Sequence, residues 1–168
     1  MKRESRTMVF SLFFLICLSF VAVANGFCEE YEALRGLKSV KAVFDVRIGD
    51  PKSAALHLKL IQDTFKDRGI LSVTKKPVFV VVFIGPSVKL ISKNRDGFSP
   101  DDQKALDEIA STVSAMTKSG IRLESCLVAA HVFGVDPASI LPGIKRVPNG
   151  WVSLIGYEAK NYSLVPAY

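Results

Sequence analysis

Three cysteines, two histidines and one tryptophan in 168 residues are few, and each scarcity excludes something. His57 and His131 cannot make a recognisable zinc set by themselves, and no C-x-x-C or H-x-x-x-H spacing occurs, so no structural metal is expected. G-x-G-x-x-G, the P-loop lysine motif and G-x-S-x-G are all missing, which leaves nucleotide binding and serine hydrolysis without a basis and gives no reason to expect a cofactor. A block of like charge is lacking too. The 22 Lys and Arg alternate with 16 Asp and Glu for a formal charge of +6, a pattern that suits a solvated surface and not nucleic-acid binding.

Long apolar runs are confined to the start. "MKRESRTMVFSLFFLICLSFVAVANG" joins basic residues to an apolar stretch that ends in small ones, the pattern of a secretory signal peptide. Met8 to Val23 is short for a membrane span, which needs about 20 apolar residues. Ala22-Val23-Ala24 predicts cleavage after Ala24, with Gly26 as second choice. Lipid attachment at Cys28 would require a small residue before it, and Phe27 stands there. The expected organisation is a leader over 1–24 and a single domain over 25–168, exported to the periplasm or secreted, with the membrane met only through the leader. Loss of Lys2, Arg3, Arg6 and Glu4 lowers the formal charge from +6 to +4. About 140 residues remain, the size of one ordinary domain.

Strand-like and helix-like segments alternate along that domain, which predicts an α/β fold. "VKAVFDVRI" (40–48) reads as a strand. Asp50 and Pro51 then suit a helix cap and first position, with Leu58, Ile61 and Phe65 on one stripe, an end near Asp67 and a stop at Gly69. "VFVVVFI" (78–84) is apolar at every position, as a central strand covered on both faces must be. "SVKLI" reads as a short helix. Ser99, Pro100 and Asp102 form a capping box for a helix carrying Leu106, Ile109, Ala110, Val113 and Met116, closed by Gly120. Further strands are expected at 121–125, 144–147 and in "YSLVP", with a last helix in "NGWVSLIGYEAKNY". Helices between strands imply right-handed crossovers, hence a three-layer open sheet of about five mostly parallel strands.

Cys17 leaves with the leader, so the exported chain keeps Cys28 and Cys126. Cys126 falls where a strand passes into a helix, at the sheet edge where ligands and reactive groups gather. There the partial positive charge of free amide groups favours a thiolate, and Arg122 or His131 would add positive charge if turned inward. Two other readings stand beside this one. Cys126 between "LES" and "LVAA" also fits an inert buried residue, and two thiols in an oxidising compartment can pair as Cys28–Cys126. His57 reads as a helix-face residue, Gly85-Pro86 as a turn, and Asp45, Asp50 and Glu124 form no evident carboxylate pair.

"VFDVRIGDPKSAALHLKLIQDTF", "VVVFIGPSVKLI" and "SGIRLESCLVAAHVFGVDPASILPGIKRVPNGWVSLIGYEAKNYSLVPAY" together resemble, in order and spacing, the DsrE/DsrF-like (YchN-like, sulfur-relay) family. The resemblance implies an open α/β fold with a five-stranded, largely parallel sheet and assembly into homo-oligomeric trimers or hexamers. It also implies that Cys126 takes up sulfane sulfur as a persulfide from a donor protein and passes it to an acceptor thiol. This is thiol-disulfide exchange chemistry. His131, five residues further on, is a second catalytic candidate from its place in the sequence and not from the resemblance. A non-catalytic binding module of the same fold is the alternative.

Overall fold

A computed structural model describes residues 31–168, and Leu34–Tyr168 form one compact unit. The expected leader and Cys28 lie outside the described residues. In chain order the elements are β1 (Lys41–Val46), α1 (Pro51–Phe65), α2 (Arg68–Val73), β2 (Val78–Phe83), α3 (Ser87–Leu90), α4 (Pro100–Lys118), β3 (Arg122–Cys126), α5 (Leu127–Val132), β4 (Ile144–Val147), α6 (Gly150–Glu158) and β5 (Ser163–Ala167). The strands form one sheet in the order β4-β3-β2-β1-β5, and every neighbouring pair is parallel.

That order decides which face each helix covers. From β1 to β4 the chain steps one way across the sheet, and it then crosses back to place β5 beside β1. Because parallel crossovers are right-handed, reversing the step moves the connecting helix to the opposite face. Accordingly α1 and α4 pack along each other on one face, where Phe65 meets Phe79 edge-on at 5.3 Å and Phe44 lies 5.2 Å from the same ring. Among the described residues the nine-residue α6 is the helix that lies over β1, β2, β3 and β5 on the other. Central β2 is buried over five of its six residues, as its unbroken apolar sequence requires. Fully burying a side chain such as Phe79 stabilises by roughly 2–3 kcal/mol.

The starts of α1 and α4 follow the capping rules. Asp50 accepts the Ser53 N–H at 2.7 Å ahead of Pro51, and these hydrogen bonds hold its carboxyl below the ordinary range. Ser99 and Asp102 complete the expected reciprocal box at the start of α4, an arrangement worth about 1 kcal/mol. One stop differs from expectation. Gly69 does not end the first helix, which finishes at Phe65. Asp67 turns extended and accepts the Gly69 N–H at 2.7 Å, starting α2 and enclosing Gly69 inside it. The aspartate's affinity for a helix start outweighs the glycine's preference for a helix end. The first strand is also shorter than 40–48, and β3 begins one residue later than expected and includes Cys126.

Candidate functional site at the end of the third strand

Three features place Cys126. As the last residue of β3 it stands at the carboxyl edge of the sheet, and with φ −75° and ψ 116° it is also the N-cap of α5. Its Sγ accepts the Ala129 N–H at 3.4 Å, taking the place that a serine or aspartate oxygen takes at other helix starts. It shares a sheet face with Glu124 and Arg122, since alternate strand residues point the same way. That is the face α6 covers, and the start of α6 comes close to the cysteine. A Cβ added at Gly150 would stand 3.0 Å from the Cys126 Cβ and 2.8 Å from Ile84 Cγ1. The Val128 N–H donates to Pro148 O at 3.3 Å and ties the first turn of α5 to the loop before α6. Cys126 is consequently only 3% exposed.

His131 lies in the last turn of α5 and is exposed. Five residues of helix turn it roughly 140° from the N-cap, and no hydrogen bond joins it to Cys126 among the described residues. Arg122 does not reach the sulfur either: it donates to the Tyr157 hydroxyl at 3.2 Å and lies 6.0 Å over that ring. Among the described residues the cysteine is therefore left with a backbone donor alone.

Two buried carboxylates on the same face went unrecognised as a pair in the sequence. Asp45, Val82 and Glu124 stand in register across β1, β2 and β3, so the two acids flank one valine beneath α6. Asp45 holds Arg47, whose Nε lies 3.0 Å from both carboxylate oxygens and whose Nη2 lies 2.8 Å from Oδ2. Hydrogen bonding to this acid raises the Arg47 pKa from its ordinary value. Glu124 accepts the Tyr157 hydroxyl on Oε1 at 2.7 Å, while its buried Oε2 and the buried Ser125 hydroxyl have no partner among the described residues. Burial pushes the Tyr157 phenol up, against the pull of its hydrogen bond from Arg122, and the bond to Glu124 pushes it up further. The signal for this pair was the single acid in each of the buried strand segments "FDV" and "LES".

The loops beyond β1, β2 and β3 enclose a cleft of about 530 Å³ lined by Gly49, Pro86, Lys89, Phe98, Phe133 and Asp136, among others. Gly85, at φ 64°, makes the turn from β2 toward it, a backbone geometry that glycine adopts without strain. Cys126 is not among the lining residues.

An open five-stranded parallel sheet flanked by helices defines the class, and solved structures are similar to it in fold. The protein of unknown function MTH1491 from Methanobacterium thermoautotrophicum superposes with a TM-score of 0.59 at 15% identity, over 76% of this chain and 99% of its own. The ychN protein from E. coli does so with a TM-score of 0.51 at 12% identity, over 76% of this chain and 98% of its own. Residues 41–166 match the DsrE/DsrF-like family model, and the chain belongs to that family. A curated relative from Aquifex aeolicus (strain VF5), an uncharacterized protein, is 24% identical over 128 residues, 76% of this chain and 56% of its own length. The chain thus spans about half the length of that relative.

Proposed function

We propose that this protein is an exported sulfur carrier or thiol sensor whose working atom is the Cys126 sulfur. What supports the reading is the placement of that sulfur at the end of β3, capping α5 and hydrogen-bonded by the Ala129 N–H. The Cys126 thiolate attacks the sulfane sulfur of a donor persulfide, forming one S–S bond and breaking another. The donor leaves as a thiolate and takes up the proton lost from Cys126. Attack by an acceptor thiolate on the outer sulfur then returns Cys126 to its starting state, so the cycle is balanced and needs no oxidant. Because the sulfur is 3% exposed in the single chain, transfer requires local opening where α5 and α6 begin.

Assembly into a homo-oligomer belongs to the same proposal. Val128, Val132, Trp151, Val152 and Ile155 each expose more than half their surface on the two helices that start beside Cys126. Exposed apolar side chains gathered on neighbouring helices in this way mark an interaction surface, and a second copy of this chain is the occupant we assign.

The test is to expose the reduced full-length protein to a low-molecular-weight persulfide and locate the product by peptide mapping. One added sulfur on Cys126, lost in Cys126→Ser, is expected. An unmodified Cys126 beside a modified control thiol would end the carrier reading. The burial of Cys126 favours a second reading, a non-catalytic binding module in which the cysteine only packs. On that reading Cys126→Ser leaves ligand binding and assembly unchanged. A non-reducing map of the same material tests for a Cys28–Cys126 disulfide, which would also retire the carrier role.

A further inference from the structure

We propose that the cleft beyond β1, β2 and β3 is a binding site for a free aromatic α-amino acid, separate from Cys126. At about 530 Å³ it has the size of a small-molecule site, and it lies at the carboxyl edge where open parallel sheets bind ligands. Two half-buried rings line it, Phe98 from the loop before α4 and Phe133 from the end of α5, and they offer stacking surface to a third ring.

Charges of both signs surround these rings. The Lys89 ammonium lies 5.7 Å over Phe133 and has no acidic partner among the described residues, so it is free to meet a carboxylate. Asp96 and Asp136 also line the cleft. Asp136 spends one oxygen on the Ala138 N–H at 2.9 Å, whereas the Asp96 carboxylate makes no side-chain hydrogen bond among the described residues and can receive an ammonium. A ring, a carboxylate and an ammonium on one small molecule satisfy all three groups, which neither a plain anion nor a plain amine does.

The rim is held before any ligand arrives. The Lys93 N–H donates to Ser139 O at 2.8 Å, the Leu141 N–H to Ile91 O at 2.9 Å, and the Ser92 and Ser139 hydroxyls meet at 2.7 Å. The loop that carries Asp96 and Phe98 is thereby fastened to the segment after Phe133, and a fixed rim lowers the ordering cost of binding.

Calorimetric titration of the full-length protein with L-tryptophan, tryptamine and indole-3-propionate tests the assignment. L-tryptophan is expected to bind saturably with a dissociation constant on the order of 0.1–1 mM, and both truncated probes more weakly. Lys89→Met should weaken L-tryptophan and indole-3-propionate about tenfold while leaving tryptamine unchanged. Asp96→Asn should weaken L-tryptophan and tryptamine and spare indole-3-propionate. Both changes are on exposed side chains, and an unchanged circular dichroism spectrum confirms that each variant folds. Failure of L-tryptophan to saturate, tighter binding of either truncated probe, or indifference of all three affinities to both substitutions overturns the proposal. Persulfide loading of Cys126, measured on the same variants, should not change, so the fate of this site and that of the carrier reading are separable.

Discussion

Gly150 approaches Cys126 so closely that a Cβ at the glycine would stand 3.0 Å from the cysteine Cβ. It would also lie 2.8 and 2.9 Å from Ile84 Cγ1 and Cδ1, and Ile84 is buried with little room to give. Overpacking of this kind costs roughly 1–3 kcal/mol, partly offset by the better helix propensity of alanine. Gly150→Ala should therefore lower stability by about 1–2 kcal/mol in urea denaturation. As the start of α6 is pushed away, alkylation of Cys126 in the native protein should speed up. An unchanged labelling rate would mean that α6 does not control access to the sulfur.

Tyr157 should give the fold an alkaline limit. Burial raises its phenol above the ordinary value of 10.0, and the hydrogen bond to Glu124 adds to this while that from Arg122 opposes it. The neutral phenol is thus the form the folded chain prefers. Its contribution is complete below the unfolded-state pKa near 10 and is lost as pH rises through the folded-state value. Tyr157→Phe removes that titration, so its stability should fall less steeply above pH 10 than wild type in parallel urea titrations. At neutral pH the variant leaves buried Glu124 without its donor and should be less stable by about 1–3 kcal/mol. Equal slopes above pH 10 would contradict the assignment.

Asp45 depends on Arg47 in a comparable way. The acid's side chain is 2% exposed, and the guanidinium that holds it is 38% exposed. In Arg47→Met the carboxylate keeps, among the described residues, only the Tyr168 hydroxyl, at 3.4 Å. Removing one partner of a buried pair is costly, and the partial exposure of Arg47 brings the expected loss to roughly 2–3 kcal/mol. Asp45→Asn in the Arg47→Met background should recover part of it, because the buried charge is then gone. A strictly additive double mutant, measured by chemical denaturation, would show that the two side chains are not coupled.

Much of the architecture was legible because local and long-range signals agreed. The unbroken "VFVVVFI" fits an inner strand, and the box built from Ser99, Pro100 and Asp102 fixed the start of α4. At Asp67 two local signals conflicted, and a cap won over a glycine stop. Cys126 was visible as a strand-end cysteine, but its cover was not, because Gly150 reaches it only when the chain reverses and lays α6 on the opposite face. Register hid the Asp45–Glu124 row for the same reason: the acids are 79 positions apart in sequence and stand on either side of one valine. The cleft is likewise assembled from four separate loops, and only the completed sheet edge brings Phe98 and Phe133 together.

The exposed apolar face of α6 supplies the last prediction. Val152 and Ile155 are three positions apart, on one side of the helix, and are 63% and 66% exposed. Leu154 points the other way into the core at 6% exposure. A charge at 152 or 155 therefore costs the folded chain little but must be desolvated wherever that face meets another copy. Ile155→Lys and Val152→Glu should each shift the protein toward monomer by at least tenfold in dissociation constant, read by sedimentation velocity at matched concentrations. Unfolding midpoints extrapolated to low protein concentration, where association no longer contributes, should change little. Leu154→Ala serves as the contrast, since it should lower the stability of the chain itself by about 2–5 kcal/mol through the cavity it leaves. If wild type and both charged variants sediment alike, α6 is not the contact surface between copies, and its apolar side must meet something other than this chain.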